Sequence, residues 1–238
     1  MSPKKFFSQL IRSWLIGSPV RILCGPIAGW KWLVESGNNS YWLGIYEQKY
    51  VQNFSQQITP GNTVFDIGSQ AGYYTLIASR LTGKDGQVFS FEPFPPNIDF
   101  VKKHCHLNNC TNVKLFEAAV GGSSGKRKFQ ANNSFMGHFS RHGELEVDVV
   151  TLDELAAKKD IAPPNVIKID VEGMEYWVLR GGEKLILKYK PTIFVATHGK
   201  GNNSRVLQLL QDWGYDIVMI GNGSERNADY MAKSLSTA

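Results

Sequence analysis

Val64–Thr75 reads VFDIGSQAGYYT, an apolar run that carries Asp66 and then breaks into a glycine turn between Gly68 and Gly72. Val64, Phe65 and Ile67 suit a buried strand, the two glycines permit a tight turn with close backbone approach, and Tyr73 to Leu81 continues as a helix. Strand, glycine turn and helix N-terminus in that order predict a seat for a nucleotide-like cofactor. The spacing is DxGxxxG and lacks the GxGxxG of a pyrophosphate cradle. The expected cofactor therefore has no pyrophosphate.

Downstream, Gln87 to Phe91 reads as a second strand that Pro93 stops, leaving Glu92 at the sheet edge where open α/β sheets bind ligands. Glu92 lies 20 residues after Gly72, close to the separation at which an acidic residue on the second strand meets a ribose diol. This pairing points to an adenosine-bearing ligand. Asn97 to Asn108 carries Ile98, Val101 and Cys105 on one face, a crossover helix, and Val113 to Ala118 gives a third strand, the alternation a right-handed parallel sheet requires.

Beyond the flexible Gly121–Gly125 turn the character changes, with short β-like pieces at Lys128-Phe129 and Glu146 to Val150 around a polar loop from Ala131 to His142. Its Asn132, Asn133, Ser134, His138 and His142 suit a polar substrate and equally an ordinary surface loop. Thr151-Leu152-Asp153-Glu154 reads as a capping box, with Asp153 attributed to the helix dipole. Val166 to Val171, VIKIDV, is a further strand ending in Asp170, and an extended backbone would bring Glu172 to the same side. Met174 to Leu179 begins a helix interrupted at Gly181-Gly182, and the strand Thr192 to Thr197 ends at His198. A helix over Asn203 to Trp213, a strand over Tyr215 to Ile220 and an antiparallel strand over Ala228 to Lys233 complete the expected domain.

Upstream, Tyr41 to Gln57 reads as helical through Tyr46 to Phe54, with Glu47 as a salt-bridge or helix-end charge. Trp30, Trp32 and Leu33 form an aromatic cluster suited to the core or to part of a lid over a pocket. From Lys4 to Leu15, Phe6, Phe7, Leu10, Ile11, Trp14 and Leu15 line one face of an amphipathic helix. That face is expected to pack on the main domain or on a second copy, giving a homodimer, with weak contact to a membrane surface as another use.

The chain of 238 residues, 42% of them hydrophobic, can bury one full α/β core but not two large ones. The expected organisation is an N-terminal extension over residues 1–40 and a catalytic domain over 41–238. A net charge of +5 arises from scattered short clusters such as Lys126-Arg127-Lys128, so no nucleic-acid partner is expected. Cys24, Cys105 and Cys110 show neither CxxC pairing nor metal-ligand spacing, which fits a reducing cytoplasmic setting. No apolar run reaches the roughly 18 residues of a membrane span.

With these residues in view, the chain resembles the FkbM family of S-adenosylmethionine-dependent methyltransferases from about Tyr41 to Ile220. The resemblance lies in VFDIGSQAGYYT, FEPFPPN, VVTLDEL and, most discriminating, VIKIDVEGMEYWVLRGG. Where the family more usually has a small residue, Asn and Ile, this chain has Ser69, Gln70 and Ala71. The resemblance implies an α/β fold of the Rossmann-like class I methyltransferase type, a mostly parallel seven-stranded sheet with helices on both faces. It implies that Asp66, Gly68, Ser69 and Gly72 hold the methionine end of the donor and that Glu92 takes the ribose hydroxyls. The segment Glu117 to Ala119, with Ala119, would lie near the adenine, and Asp170 would contact donor or acceptor.

The implied reaction is O-methylation of a polar acceptor, a sugar or glycan hydroxyl or a natural-product alcohol. Methyl transfer from a sulfonium needs chiefly alignment and exclusion of water. An alcohol must also lose a proton, for which Asp170, Glu172 and His198 are the catalytic candidates, His198 preferred because imidazole titrates near neutral pH. A divalent metal on these three residues is an addition that no tight cluster in the sequence favours. A nicotinamide-dependent oxidoreductase, NAD(P) being its cofactor, and a noncatalytic protein that binds an adenosyl ligand are the competing classes.

Overall fold

A computed structural model describes residues 16–131, 137–139, 143–221, 223–224 and 227–235. The predicted helix from Lys4 to Leu15 and the loop residues Asn132, Asn133, Ser134 and His142 lie outside them. In chain order, strands β1 (Pro19–Arg21) and β2 (Lys31–Leu33) precede helices α1 (Asn39–Leu43) and α2 (Gln48–Gln56). Then come β3 (Thr63–Ile67), α3 (Tyr73–Thr82), β4 (Gln87–Phe91), α4 (Pro95–Leu107) and β5 (Val113–Phe116). An inserted group follows: β6 (Ala119–Val120), β7 (Gly125–Ala131), β8 (Gly137–Phe139) and β9 (Leu145–Val150). The chain closes with α5 (Leu152–Ala157), β10 (Val166–Ile169), α6 (Glu175–Gly181), α7 (Glu183–Tyr189), β11 (Thr192–His198), α8 (Lys200–Asp212), β12 (Tyr215–Ile220) and β13 (Asn227–Ser234).

Seven strands form the central sheet in the order β12-β13-β11-β10-β3-β4-β5. All pairings are parallel except those of β13, which runs antiparallel between β11 and β12. The fold is thus the α/β architecture of class I methyltransferases, a mostly parallel sheet with helices on both faces. Strand alternation explains the two-sided core. Phe65, Ile67, Ile167, Ile169, Ile193 and Val195 pack with Val178, Leu179, Leu185, Val206 and Leu210 of α6, α7 and α8. Val64, Val166 and Phe194 face the other way, against Tyr50, Phe54, Tyr74 and Ile77 of α2 and α3. Because the chain builds β3, β4 and β5 in one direction and then returns to place β10 on the far side of β3, the sheet has its switch point between β3 and β10. Ligands bind at such points beyond the carboxyl ends of the strands.

Several local expectations change. The helix expected across Tyr46 is broken: Gly44 is left-handed (φ 74) and Glu47 as well (φ 41). A Cβ on Gly44 would lie 2.1 Å from the carbonyl oxygen of Cys24, so only glycine fits beside the N-terminal segment at this break. Glu47 makes no salt bridge among the described residues and instead accepts a hydrogen bond from Tyr74 (2.7 Å). Trp32 is core, stacked on His104 at 3.9 Å between centroids. Thr151 caps α5 as predicted, accepting from the Glu154 N–H, but Asp153 serves a different helix. Its carboxylate accepts from the N–H groups of Lys184 (3.1 Å) and Leu185 (2.9 Å) at the start of α7. The insertion forms a sheet of its own, β6-β9-β7-β8, that stands beside the carboxyl end of the main one. Among the described residues no helix is long and apolar enough to cross a membrane.

Candidate active site

The turn after β3 is held by backbone. The N–H groups of Gly68 and Ser69 both donate to the Phe91 carbonyl, at 3.0 and 3.1 Å, which ties the turn to the end of β4. Gly68 has φ +78, and a Cβ there would lie 1.9 Å from the Asp170 carbonyl oxygen, so glycine is required for β3 and β10 to close together. Gln70 is also left-handed (φ 51), and its side-chain oxygen accepts from the Tyr41 hydroxyl at 2.9 Å.

These elements surround a cavity of about 160 Å³. Gly68, Ser69 and Gln70 line one side, Glu92 and Pro93 another, and Asp170, Glu172 and Met174 a third. Tyr41, Tyr46 and Tyr73 supply aromatic wall from the N-terminal half of the domain, while Ala119, Val120 and Phe129 supply it from the inserted sheet. Of the segment Glu117 to Ala119, only Ala119 borders the cavity; Glu117 pairs with Lys102 at the surface.

Glu92 is 5% exposed, and both of its oxygens are engaged by backbone: Oε2 accepts from the Gln70 N–H (2.8 Å) and Oε1 from the Phe94 N–H (2.9 Å). A carboxylate has about four acceptor positions; the two N–H groups and the Asn97 side chain, which also bonds Glu92, leave about one of them. Burial pushes its pKa up to about 7, against the pull of those two N–H groups and Asn97.

Asp66 and Gly72, expected at the donor, do not border the cavity. Asp66 is fully buried one layer below, because at its position in β3 the side chain points toward α3. It accepts from the Thr75 hydroxyl (2.6 Å) and pairs with Lys168 Nζ at 3.6 Å. Gly72 packs against Val101 of α4 at the start of α3. Lys168, which the sequence reading passed over, is 3% exposed, borders the cavity, and bridges Asp66 to Asp170 (3.5 Å) above the ring of Tyr74. Burial opposes its charge, but Asp170 and Asp66 outweigh that and raise its pKa; burial raises the Asp66 carboxyl, with Lys168 and Thr75 pulling it back. The signal was present, a lysine inside the apolar strand VIKIDV.

Asp170 and Glu172 do come together, though not by strand alternation. β10 ends at Ile169, and Glu172 (φ 52) and Gly173 (φ 101) turn left-handed, which folds Glu172 back beside Asp170. His198, at the end of β11, lies behind them with Nε2 3.8 Å from Asp170 Oδ1 and 3.8 Å from Glu172 Oε2. Its Nδ1 meets Glu175 Oε1 at 2.9 Å; Glu175 is fully buried at the start of α6 and accepts also from the Gly173 N–H and from Asn202. Burial works against a charged His198, but the hydrogen bond to Glu175 and the charges of Asp170 and Glu172 prevail and raise its pKa to about 9. That shift favours the charged imidazole over the free base. The three residues also form a cluster in space that the sequence does not display: Asp170, Glu172 and His198 offer ligand atoms all within 4.8 Å of one another.

Comparison with known proteins gives the family. The methyltransferase FkbM domain profile matches residues 66–217. A hexuronic acid methyltransferase, AglP, of Haloferax volcanii is 29% identical over 140 residues, which are 57% of this chain and 56% of that protein. A 31-O-demethyl-FK506 methyltransferase, FkbM, of Streptomyces tacrolimicus is 23% identical over 73% of this chain and 80% of its own. The crystal structure of an FkbM methyltransferase from Methylobacillus flagellatus superposes with a TM-score of 0.53 at 14% identity, over 84% of this chain and 56% of that one. This chain thus spans little more than half the length of the Haloferax and Methylobacillus proteins.

Proposed function

The chain belongs to the methyltransferase FkbM family, and on that premise we propose that it transfers the methyl group of S-adenosylmethionine to a hydroxyl of a sugar, a glycan or a natural-product alcohol. Glu92 is the observation that carries this reading. A buried carboxylate that borders the cavity and is fixed by two backbone N–H groups and by Asn97, with an acceptor position left, suits a ribose hydroxyl. The names of the two relatives, one for a hexuronic acid and one for an O-demethylated compound, support the acceptor class. Family membership favours this reading over a nicotinamide oxidoreductase.

The surrounding residues fit the donor. Gly68 and Ser69 would hold its methionine end, Ala119 and Phe129 the flat face of the base, and the rings of Tyr41, Tyr46 and Tyr73 suit a cationic sulfur. S-adenosylmethionine supplies a methyl group already activated by the sulfonium charge. The protein's work is then to orient the acceptor oxygen, exclude water and receive one proton as the new C–O bond forms. Asp170 and Glu172, which border the cavity, are the oxygens placed to receive it.

Calorimetric titration with S-adenosylmethionine, followed by transfer of labelled methyl to hexuronides and fractionated glycans, tests the proposal. Glu92→Ala should weaken donor binding by about 1–3 kcal/mol, roughly 5–150-fold. Unchanged affinity would remove the ribose assignment. Donor binding with no labelled product from any hydroxyl-bearing acceptor would favour a noncatalytic adenosyl-binding protein.

A further inference from the structure

We propose that Asp170, Glu172 and His198 form a divalent-cation site beside the cavity, with one oxygen from each carboxylate and Nε2 of the imidazole as ligands. The distances are within ion-pair reach but distinguish this from direct hydrogen bonding. A charge-assisted N–H···O bond is about 2.7–2.9 Å long, whereas Nε2 stands 3.8 Å from both carboxylates. Atoms that share an ion at about 2.0–2.2 Å are separated by roughly 3–4.4 Å, and these lie within 4.8 Å of one another. Small side-chain movements suffice to close the set.

The rest of the arrangement aims these atoms inward. Lys168 engages Asp170 through Oδ2 and leaves Oδ1 toward His198. Glu175, fully buried and itself held by the Gly173 N–H and Asn202, fixes Nδ1 and so directs Nε2 at the acidic pair. A carboxylate behind the imidazole is the usual means of orienting a metal-binding histidine. The donor set is not acidic alone: two carboxylate oxygens with one imidazole nitrogen suit a first-row divalent ion such as Mn²⁺ better than Ca²⁺. On binding, the ion takes the place of the Nε2 proton, which leaves to solvent. Three protein ligands would leave coordination positions open, and Asp170 and Glu172 border the cavity. There the ion would hold an acceptor hydroxyl; that use rests on the methyltransferase reading, whereas binding of the ion does not.

The test uses the full chain stripped with a chelator, Mn²⁺ as probe, and S-adenosylhomocysteine titrated into the same preparation. Calorimetry and the resonance of free Mn²⁺ should give one ion per chain, with nitrogen hyperfine coupling from the imidazole. Glu172→Gln and His198→Gln should each weaken Mn²⁺ at least tenfold, and His198→Gln should abolish the coupling. Glu175→Gln, which touches no ion, should weaken it about 10–100-fold by loosening the ring. Wild-type protein that unfolds cooperatively yet binds no Mn²⁺ at millimolar concentration overturns the site, as does equal affinity in Glu172→Gln and His198→Gln. Mn²⁺ binding without S-adenosylhomocysteine binding refutes the donor reading alone, and the reverse refutes the ion site alone.

Discussion

Glu92 carries two opposed demands. Burial raises its pKa to about 7, while a carboxylate must be ionised to accept a ribose hydroxyl through its free position. Folding therefore takes up a proton relative to the unfolded chain between pH 4.5 and 7. Its contribution to stability is fully present below the unfolded pKa and is lost as pH rises through the folded one, on the order of 3 kcal/mol in all. Donor affinity runs the other way, rising with pH up to about 7 and levelling above it. Denaturant unfolding and donor titration from pH 5 to 8 should show these opposite slopes in the wild type, and Glu92→Gln should flatten the affinity slope and reduce the stability slope, His198 and Asp229 supplying the remainder. Parallel slopes would contradict the assignment.

At the scale of elements, the turn between β3 and α3 depends on Gly68 more than on Gly72. Both are left-handed, a conformation that costs an L side chain about 1–2 kcal/mol. A Cβ on Gly68 would in addition lie 1.9 Å from the Asp170 backbone oxygen, whereas one on Gly72 meets only a Val101 methyl at 3.3 Å. Gly68→Ala should therefore cost more than about 2 kcal/mol and abolish donor binding, while Gly72→Ala should cost only the conformational part and retain it. Chemical denaturation with calorimetric titration of both variants checks the contrast. The elements themselves were largely legible: β4 and β12 fall where their runs of apolar and branched residues predict. The break at Gly44 was not, because the close approach that admits only glycine there comes from the carbonyl oxygen of Cys24, 20 residues earlier in the chain.

For the whole molecule, the buried pair of Asp66 and Lys168 joins the two strands on which the sheet switches direction, with Thr75 and Tyr74 of α3 closing over it. Removing one member leaves a buried charge without a partner, which costs about 3–5 kcal/mol. Lys168→Met should lower global stability by that amount in urea unfolding and release Asp170 from its fixed position. A loss below about 1 kcal/mol, the range of an exposed pair, would show that solvent reaches the pair.

The amino-acid sequence by itself determined the strand order in time, the glycine turn, the carboxylate at the end of β4 and the family, because each is written in local spacing and period. Which of the charged residues meet was decided only by tertiary structure. Strand alternation turns Asp66 toward α3, but only the pairing of β3 with β10 sets Lys168 against it. A left-handed turn at Glu172 folds that carboxylate beside Asp170, and a helix start 23 residues away in sequence supplies the Glu175 that locks His198. Such meetings depend on the path of the backbone in space, which no spacing along the chain encodes.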